Sequence, residues 1–124
     1  MAEGLAKMHL EDFSIASAGT KPDPINENAI AAMNDFGIDI SNNYSKKIED
    51  EQINQFGIII TLCGDAKDNC PNIDSNAKYI HWGIEDPAKF SGSNDEVLQK
   101  FIEIRDIIFK KIKLLKVSIE KNEI

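Results

Sequence analysis

The sequence predicts a parallel α/β fold, and three observations lead to this prediction. Residues 57–62 contain the apolar, β-branched run Ile58-Ile59-Ile60-Thr61, which is typical of a buried parallel strand. Residues 13–17 and 77–82 also have strand patterns. Segments with helical periodicity alternate with these strands at short loop lengths, which indicates a parallel sheet connected by helices.

Length and charge narrow the possible classes of protein. The 124 residues are enough for one core, so we expect residues 1–124 to form a single domain. No apolar run approaches the roughly 20 residues that span a membrane, and the first residues lack a signal-peptide pattern. The net charge of -7 argues against nucleic-acid binding. We therefore expect a cytoplasmic protein, in which a disulfide would be transient and catalytic.

The first half of the chain predicts two helices around one strand. Residues 1 to about 10 suit a short helix that has no capping residue at its start. The strand at 13–17 follows. Asp23 is the predicted N-cap of the second helix, with Pro24 at its first helical position, and Gly37 ends that helix.

The second half predicts a weak helix near 50–55, then the strands at 57–62 and 77–82, and finally a long helix. Ser93 is the predicted N-cap of the long helix, and Glu96 completes a capping box. Apolar residues at steps of three and four line one face of this helix, which we interpret as core: Val97, Phe101, Ile104, Ile108, Ile112, Leu115 and Ile119.

Both cysteines, Cys63 and Cys70, lie directly after the predicted strand 57–62, where open α/β sheets carry their chemistry. If residues 63–70 were helical, the two Cα atoms would be roughly 10 Å apart, whereas a disulfide needs about 4.4–6.8 Å. The segment is therefore interpreted as a redox switch that unwinds when oxidised. The alternative is two inert cysteines, one in the core and one in a loop. Turn-forming residues would allow unwinding: Gly64, Asp65, Asp68 and Asn69, followed by Pro71.

Other polar residues give weaker signals. His9 and His81 are too few and too widely separated for a zinc site, so no metal site is predicted. Trp82 is interpreted as a packing residue. Arg105 and Asp106 are expected to form an ion pair or a helix-surface contact.

A series of short strings spans nearly the whole chain. They are Met1-Ala2-Glu3-Gly4, Ser17-Ala18-Gly19, Ala29-Ile30, Ala32-Met33, Ile38-Asp39-Ile40-Ser41-Asn42, Thr61-Leu62-Cys63, Asn69-Cys70-Pro71, His81-Trp82-Gly83 and Asp86-Pro87-Ala88. In this order they resemble the thioredoxin-coupled arsenate reductases, which share the low-molecular-weight protein tyrosine phosphatase fold. The resemblance implies a three-layer fold with a four-stranded parallel sheet in the order 2-1-3-4, here lacking its first strand.

The resemblance also implies a disulfide relay that reduces arsenate to arsenite. In the family, a cysteine in a Cys-x5-Arg loop attacks arsenate, and a second cysteine attacks the adduct, which releases arsenite and leaves a disulfide. A third cysteine resolves this disulfide, and thioredoxin, the electron donor, reduces the remaining pair. By position, Cys63 is the second cysteine and Cys70 the third. The implied partners are thioredoxin and arsenate or a phosphate-like oxyanion, with no bound cofactor.

Asp86 matches the general acid of the family. The residues agree with this role, because an aspartate in a loop at the carboxyl end of a strand can protonate a leaving oxygen. The alternative for Asp86 is a turn residue before Pro87.

The sequence departs from the family in one respect, because it has no Cys-x5-Arg. Six positions after Cys63 and Cys70 lie Asn69 and Asn76, and the only arginine is Arg105. In the family, Met-Ala-Glu-Gly directly follows that loop, so we expect this sequence to begin one strand and one loop late. The missing strand would be central, so the 124-residue chain should be marginally stable or fill the gap with another chain.

Some family members bind a monovalent cation near the positions of Glu3 and Ser17. Lys46 here takes the place of an aspartate, so we expect its ammonium to replace the cation and no potassium site to form. The alternative is a solvated lysine. Two other functions are possible: a tyrosine-phosphatase-like hydrolase, which does not need the Cys63/Cys70 pair, and a non-catalytic dithiol remnant that only exchanges electrons with thioredoxin.

Overall fold

Helices and strands alternate along the part of the chain that the computed structural model describes, which is residues 1–18, 25–43, 56–62 and 77–122. The predicted weak helix at 50–55 lies outside the described residues. In order, the elements are helix α1 (Ala2–His9), helix α2 (Glu27–Asp35), strand β1 (Ile58–Thr61), strand β2 (Lys78–His81), a 3₁₀ helix (Pro87–Lys89) and helix α3 (Asn94–Glu120).

β1 and β2 form a parallel pair, which confirms the α/β class. Ile58 is the register partner of Lys78, and Thr61 is the register partner of His81. Backbone pairing extends past the carboxyl end of β2, because Trp82 N–H donates to Thr61 O at 2.9 Å. The four strands and three layers of the predicted sheet stay a prediction.

The predicted strand at 13–17 is wrong. The structure assigns no strand to these residues, and Phe13 N–H donates to Leu10 O at 3.1 Å in a turn that follows α1. The alternation of Phe13 and Ile15 resembles a strand pattern, but a strand also needs a neighbour for its backbone groups. No strand in the described part of the chain pairs with this segment, and the Phe13 side chain is 44% exposed.

The described residues fall into two compact units. One unit contains β1 and β2, and the other contains the helices. In the helical unit, α3 packs against α1, α2 and the 3₁₀ helix. α1 also makes a close approach at Gly4, where a Cβ atom would lie 3.1 Å from Ile40 Cγ2 and 3.1 Å from Met33 Cε. The core of this unit consists of Leu5, Leu10, Ala29, Ala32, Met33, Ile40, Phe101, Ile104, Ile108 and Ile112.

The predicted apolar face of α3 is confirmed as a core face. Four of its seven residues are buried, and Val97, Leu115 and Ile119 are partly buried. The start of α3 is also as predicted, because the Ser93 side chain accepts from Glu96 N–H and the Glu96 side chain accepts from Ser93 N–H. No helix in the described part of the chain is long and apolar enough to cross a membrane.

The prediction for the start of α2 is wrong, whereas the prediction for its end is confirmed. The N-cap is Asn26 rather than Asp23, and the first helical residue is Glu27. Asn26 Oδ1 accepts a hydrogen bond from Asn28 N–H at 2.8 Å. Asparagine and aspartate cap helices about equally well, so the sequence pattern fits both positions. Gly37 follows the end of α2 with a φ of +89°, the left-handed conformation that glycine favours there.

Candidate active site

The carboxyl ends of β1 and β2 lie side by side at one edge of the parallel pair. β1 ends at Thr61 and β2 at its register partner His81. The pairing continues for another residue, because Ile84 N–H donates to Leu62 O. Cys63 is the next residue in the sequence. Cys63 and Cys70 lie outside the described residues, so the redox switch and its alternative of two inert cysteines both stay predictions.

The ends of the two strands are connected by side-chain hydrogen bonds as well as by backbone hydrogen bonds. Thr61 Oγ1 lies 2.6 Å from His81 Nδ1 and 3.3 Å from the Tyr79 hydroxyl. Thr61 is only 5% exposed, so its hydroxyl is a buried polar group, and these bonds satisfy it. Tyr79 and His81 are two positions apart on β2 and therefore share one face of the strand. The three side chains form a hydrogen-bonded cluster at the carboxyl end of β1.

Asp86 is the N-cap of the 3₁₀ helix. Its Oδ1 accepts a hydrogen bond from Ala88 N–H at 3.0 Å, and Pro87 occupies the first helical position, where no N–H is needed. This geometry agrees with the turn-residue alternative and does not test the general-acid role. The two roles are compatible, because within the described residues the cap uses Oδ1 and no hydrogen bond reaches Oδ2. Oδ2 can carry a proton while the cap stays in place.

Arg105 links α3 to α2. Its side chain is 8% exposed, and Nη1 donates to Ala32 O at 2.8 Å and to Asp35 Oδ2 at 3.0 Å. The predicted ion pair with Asp106 is confirmed, since Nη2 lies 2.8 Å from Asp106 Oδ1. Burial by itself would lower the pKa of Arg105, but the hydrogen bonds to Asp35 and Asp106 raise it above its ordinary value. Arg105 is therefore a structural cation and not a candidate ligand for an oxyanion.

The described residues contain no arrangement of side chains that supports cation binding. Across residues 1–18, 25–43, 56–62 and 77–122, no three His, Cys, Asp or Glu side chains are grouped so that they could hold a metal ion. Glu3 Oε1 lies 3.2 Å from Lys7 Nζ on the next turn of α1. Lys46 lies outside the described residues, so its expected replacement of a potassium ion stays a prediction.

The amino-acid sequence matches a known family over almost its full length. Residues 1–123 match the family model described as low molecular weight phosphotyrosine protein phosphatase. The chain belongs to this family. Its resemblance to the arsenate reductases within the phosphatase family is confirmed, and its α/β fold is of the low molecular weight phosphatase type.

Members of the phosphatase family that are similar to this chain include several arsenate reductases. The arsenate reductase of Halalkalibacterium halodurans is 43% identical over 114 residues, which cover 91% of this chain and 82% of that protein. An arsenate reductase solved in an oxidized state has a TM-score of 0.76 at 28% identity and covers 95% of this chain and 86% of that one. An arsenate reductase solved in a phosphate binding state has a TM-score of 0.73 at 27% identity, with coverages of 94% and 86%.

The Thr61–His81–Tyr79 cluster was missed by reasoning from the sequence. In the sequence, both residues stand near the carboxyl ends of predicted strands and in strings that carry the family resemblance, and His81 is otherwise weighed only as a possible zinc ligand. A signal for the pair does exist in the sequence, because each is a hydrogen-bonding residue next to the carboxyl end of a predicted strand. Adjacent parallel strands bring their ends to the same edge, but only the register shows that these two residues are partners.

Proposed function

We propose that this chain takes part in the reduction of arsenate to arsenite through a cysteine disulfide relay that thioredoxin regenerates. The observation that carries the proposal is the parallel β1–β2 pair, whose fixed carboxyl end leads within two residues to Cys63. The names of the similar family members support arsenate as the substrate. The phosphate binding state of one neighbour supports an oxyanion of tetrahedral shape.

The relay begins on a thiolate that the 124 residues do not contain, that of a Cys-x5-Arg loop. This thiolate forms a sulfur–arsenic bond and displaces an oxygen of arsenate as water, for which Asp86 supplies a proton. The Cys63 thiolate then attacks the sulfur of this adduct. The electron pair of the sulfur–arsenic bond passes to arsenic, which is reduced from As(V) to As(III) and leaves as arsenite, and a disulfide remains.

The relay ends on the two cysteines of this chain. The Cys70 thiolate attacks the Cys63 sulfur and releases the first thiolate, which leaves a Cys63–Cys70 disulfide. The dithiol of thioredoxin supplies two electrons and two protons, so that both thiols are restored and thioredoxin becomes the disulfide. Each turnover therefore reduces one arsenate at the expense of one thioredoxin dithiol.

A coupled assay with arsenate, thioredoxin, thioredoxin reductase and NADPH tests this proposal. The 124-residue chain should consume no NADPH above background, because it lacks the first thiolate. A version with a family strand and Cys-x5-Arg loop joined ahead of Met1 should turn over arsenate. Cys63→Ser and Cys70→Ser in that version should each abolish turnover, and disulfide mapping by mass spectrometry should find Cys63 joined to Cys70 after arsenate is added without thioredoxin.

The family description makes hydrolysis of phosphate esters the competing function. A phosphatase needs the Cys-x5-Arg loop and Asp86 but has no use for Cys63 or Cys70. If the extended version hydrolyses a phenyl phosphate, leaves arsenate unchanged and keeps its activity in Cys63→Ser, the proposed reduction is wrong and the chain is a hydrolase.

A further inference from the structure

The outer face of α3 carries apolar side chains that the core does not use. Ile107, Leu114 and Val117 are 45%, 60% and 44% exposed. They follow one another at steps of seven and three, so they lie on one face of the helix. The buried residues Ile108 and Ile112 belong to the opposite face. One exposed aliphatic residue is ordinary on a protein surface, whereas three on a single helix face are typical of a contact surface.

Charged residues extend this apolar face in both directions. Glu103 precedes Ile107 by one turn, Lys121 follows Val117 by one turn, and Lys110 lies between, all three exposed. The resulting steps of four, three, four, three and four are the heptad spacing of paired helices. We call these six residues the outer stripe: Glu103, Ile107, Lys110, Leu114, Val117 and Lys121.

The exposed charges of α3 change sign along the helix. In its first half they are Asp95, Glu96, Glu103 and Asp106. Over residues 107–121, all of which the structure describes, they are Lys110, Lys113, Glu120 and Lys121. A uniformly acidic partner, or an anionic surface, would be attracted by one half of this face and repelled by the other. A second copy of the same helix in antiparallel orientation matches both halves, and the two helix dipoles also oppose each other favourably.

We propose that the outer stripe is an interaction surface for the outer stripe of a second copy of this chain, with the two helices antiparallel about a two-fold axis. Contacts in such an interface are reciprocal. The register that sets Ile107 against Val117 of the second copy also sets Glu103 against Lys121 of the second copy. Each of these contacts occurs twice, so two apolar contacts and two ion pairs form together.

The middle of the interface in this register is the contact of Lys110 with Leu114 of the second copy. A lysine stem can pack along an aliphatic side chain while its ammonium stays in water. Residues 103–121 extend over about 27 Å of helix. One helix face of this length gives an interface at the small end of the range for specific complexes, so we expect a dissociation constant of about 100 µM.

Sedimentation velocity of the 124-residue chain measures this association. The concentration should run from about 5 µM to about 500 µM, on both sides of the expected dissociation constant. A reductant keeps disulfides between chains from contributing. We expect the weight-average sedimentation coefficient to rise with concentration from the monomer value towards the dimer value.

Charge reversal at the two ends of the outer stripe tests the pairing and its direction. Glu103→Lys would set two lysines against each other, and Lys121→Glu would set two glutamates against each other, in each case twice by symmetry. We expect either variant alone to have a dissociation constant about tenfold higher than the wild type. An equal mixture of the two variants brings opposite charges together again, as does the double variant, and both should return to within about twofold of the wild type.

Two further variants separate the stripe from general effects of charge and folding. Leu114→Ala removes apolar area twice per dimer and should raise the dissociation constant about tenfold. Because Leu114 is mostly exposed, the helical circular dichroism of the monomer should not change. Glu11→Lys alters the net charge as much as Glu103→Lys but at an exposed residue outside α3, and it should leave the dissociation constant within about twofold of the wild type.

A wild-type chain that stays monomeric at about 500 µM overturns the proposal. If this monomer then sediments with vesicles of phosphatidylcholine and phosphatidylserine, the face belongs to an anionic surface instead. A dimer that neither charge reversal weakens forms through another surface, such as the free edge of β1, and the proposal is again wrong. Single variants that stay monomeric when mixed would show that Glu103 does not meet Lys121 of a second copy.

Discussion

Asp86 uses one carboxylate oxygen to cap the 3₁₀ helix, and the proposed general-acid role needs only the other, so mutation can separate the two roles. Asparagine keeps an oxygen that can accept from Ala88 N–H but cannot donate a proton as an acid does. In the version that carries the Cys-x5-Arg loop, we predict that Asp86→Asn lowers kcat for arsenate by about 100-fold, the lower end of the usual range for a general acid. Its unfolding midpoint in urea should match that of the wild type.

Asp86→Ala is the matched variant for the cap. This variant should lower kcat to the same extent as Asp86→Asn. It should also lower the free energy of unfolding by about 1 kcal/mol, the usual contribution of an N-cap side chain. Equal kcat values for wild type and Asp86→Asn would show that Asp86 is a cap alone.

Arg105 is the residue whose loss should destabilise the helical unit most clearly. Its guanidinium is nearly buried, whereas the side chains of its partners Asp35 and Asp106 are 64% and 57% exposed. We predict that Arg105→Met, which keeps much of the packing volume, lowers the free energy of unfolding by about 2–3 kcal/mol, because Ala32 O loses a buried donor. Asp106→Asn is the control and should lower the free energy of unfolding by less than about 1 kcal/mol. Urea unfolding of both variants checks the prediction, which fails if the two midpoints coincide.

Asp39 contributes a pH dependence to stability whose sign is fixed by its hydrogen bonds. Hydrogen bonds from the side chain and backbone of Ser41 lower the pKa of Asp39 below its ordinary value of 3.8, and Ser41 N–H lies 2.9 Å from Oδ1. A carboxylate with a lowered pKa stabilises the folded state above the unfolded pKa, and this contribution is lost as the pH falls through the folded pKa. Asp39→Asn keeps an acceptor for the turn and does not titrate.

We therefore predict that the stability difference between wild type and Asp39→Asn is constant from about pH 5 to pH 7 and shifts against the wild type below about pH 4. Urea unfolding at a series of pH values measures this difference. Curves that stay parallel down to pH 2.5 would contradict the prediction.

At the scale of elements, the end of α2 depends on the backbone conformation of one glycine. Gly37 has a φ of +89°, and Gly37 N–H and Ile38 N–H donate to Asn34 O and Met33 O, each at 2.9 Å. Nothing lies within 4 Å of a Cβ atom added at Gly37, so an alanine there would meet backbone strain and no clash. We predict that Gly37→Ala lowers stability by about 1 kcal/mol and that Gly37→Asn lowers it less, because asparagine tolerates the left-handed region.

Gly57 provides the matched control for this substitution. An added Cβ atom there also has nothing within 4 Å, but the φ of Gly57 is not positive. Gly57→Ala should therefore be neutral or slightly stabilising. Thermal melts of the three variants test the comparison, and an equal loss for the two alanine variants would mean that strain at Gly37 is not the cause.

Elements with local signals could be predicted from the sequence, and elements that depend on a distant partner could not. The capping box and apolar face of α3, the uncapped start of α1 and the glycine after α2 each follow from residues within a few positions. The prediction of a strand at 13–17 was wrong because alternating apolar residues do not show whether a neighbouring strand is present. The prediction for the start of α2 was wrong because aspartate and asparagine cap helices about equally well, so residue type alone does not choose between Asp23 and Asn26.

The same division applies to the candidate site. Asp86 could be singled out from the family resemblance and from its place in a loop after a strand, and its geometry as a cap agrees with the alternative of a turn residue before Pro87. The hydrogen bond between Thr61 and His81 could not be found, because it depends on a register of residues twenty positions apart. Cys63 and Cys70 were identified from their spacing and from the resemblance, and their pairing stays a prediction that mass spectrometry can test.

At the scale of the whole molecule, the strand pair is covered less than a parallel sheet usually is. The three isoleucines of β1 are only partly buried, although strands of parallel sheets are normally covered on both faces. β1 pairs with a single described strand, and two strands alone are marginally stable in water. A further strand beside β1 would pair with its free backbone edge and cover part of its apolar surface.

We therefore predict that joining a family strand and Cys-x5-Arg loop ahead of Met1 raises the thermal midpoint by about 5–10 °C, because burial of the exposed parts of Ile58, Ile59 and Ile60 contributes a few kcal/mol. The control is the same extension with a proline in the middle of the added strand, which removes a hydrogen-bond donor and should cancel most of the gain. Circular dichroism melts of the three proteins at equal concentration give the comparison. Identical midpoints for the 124-residue chain and the intact extension would mean that β1 already has all the partners it needs.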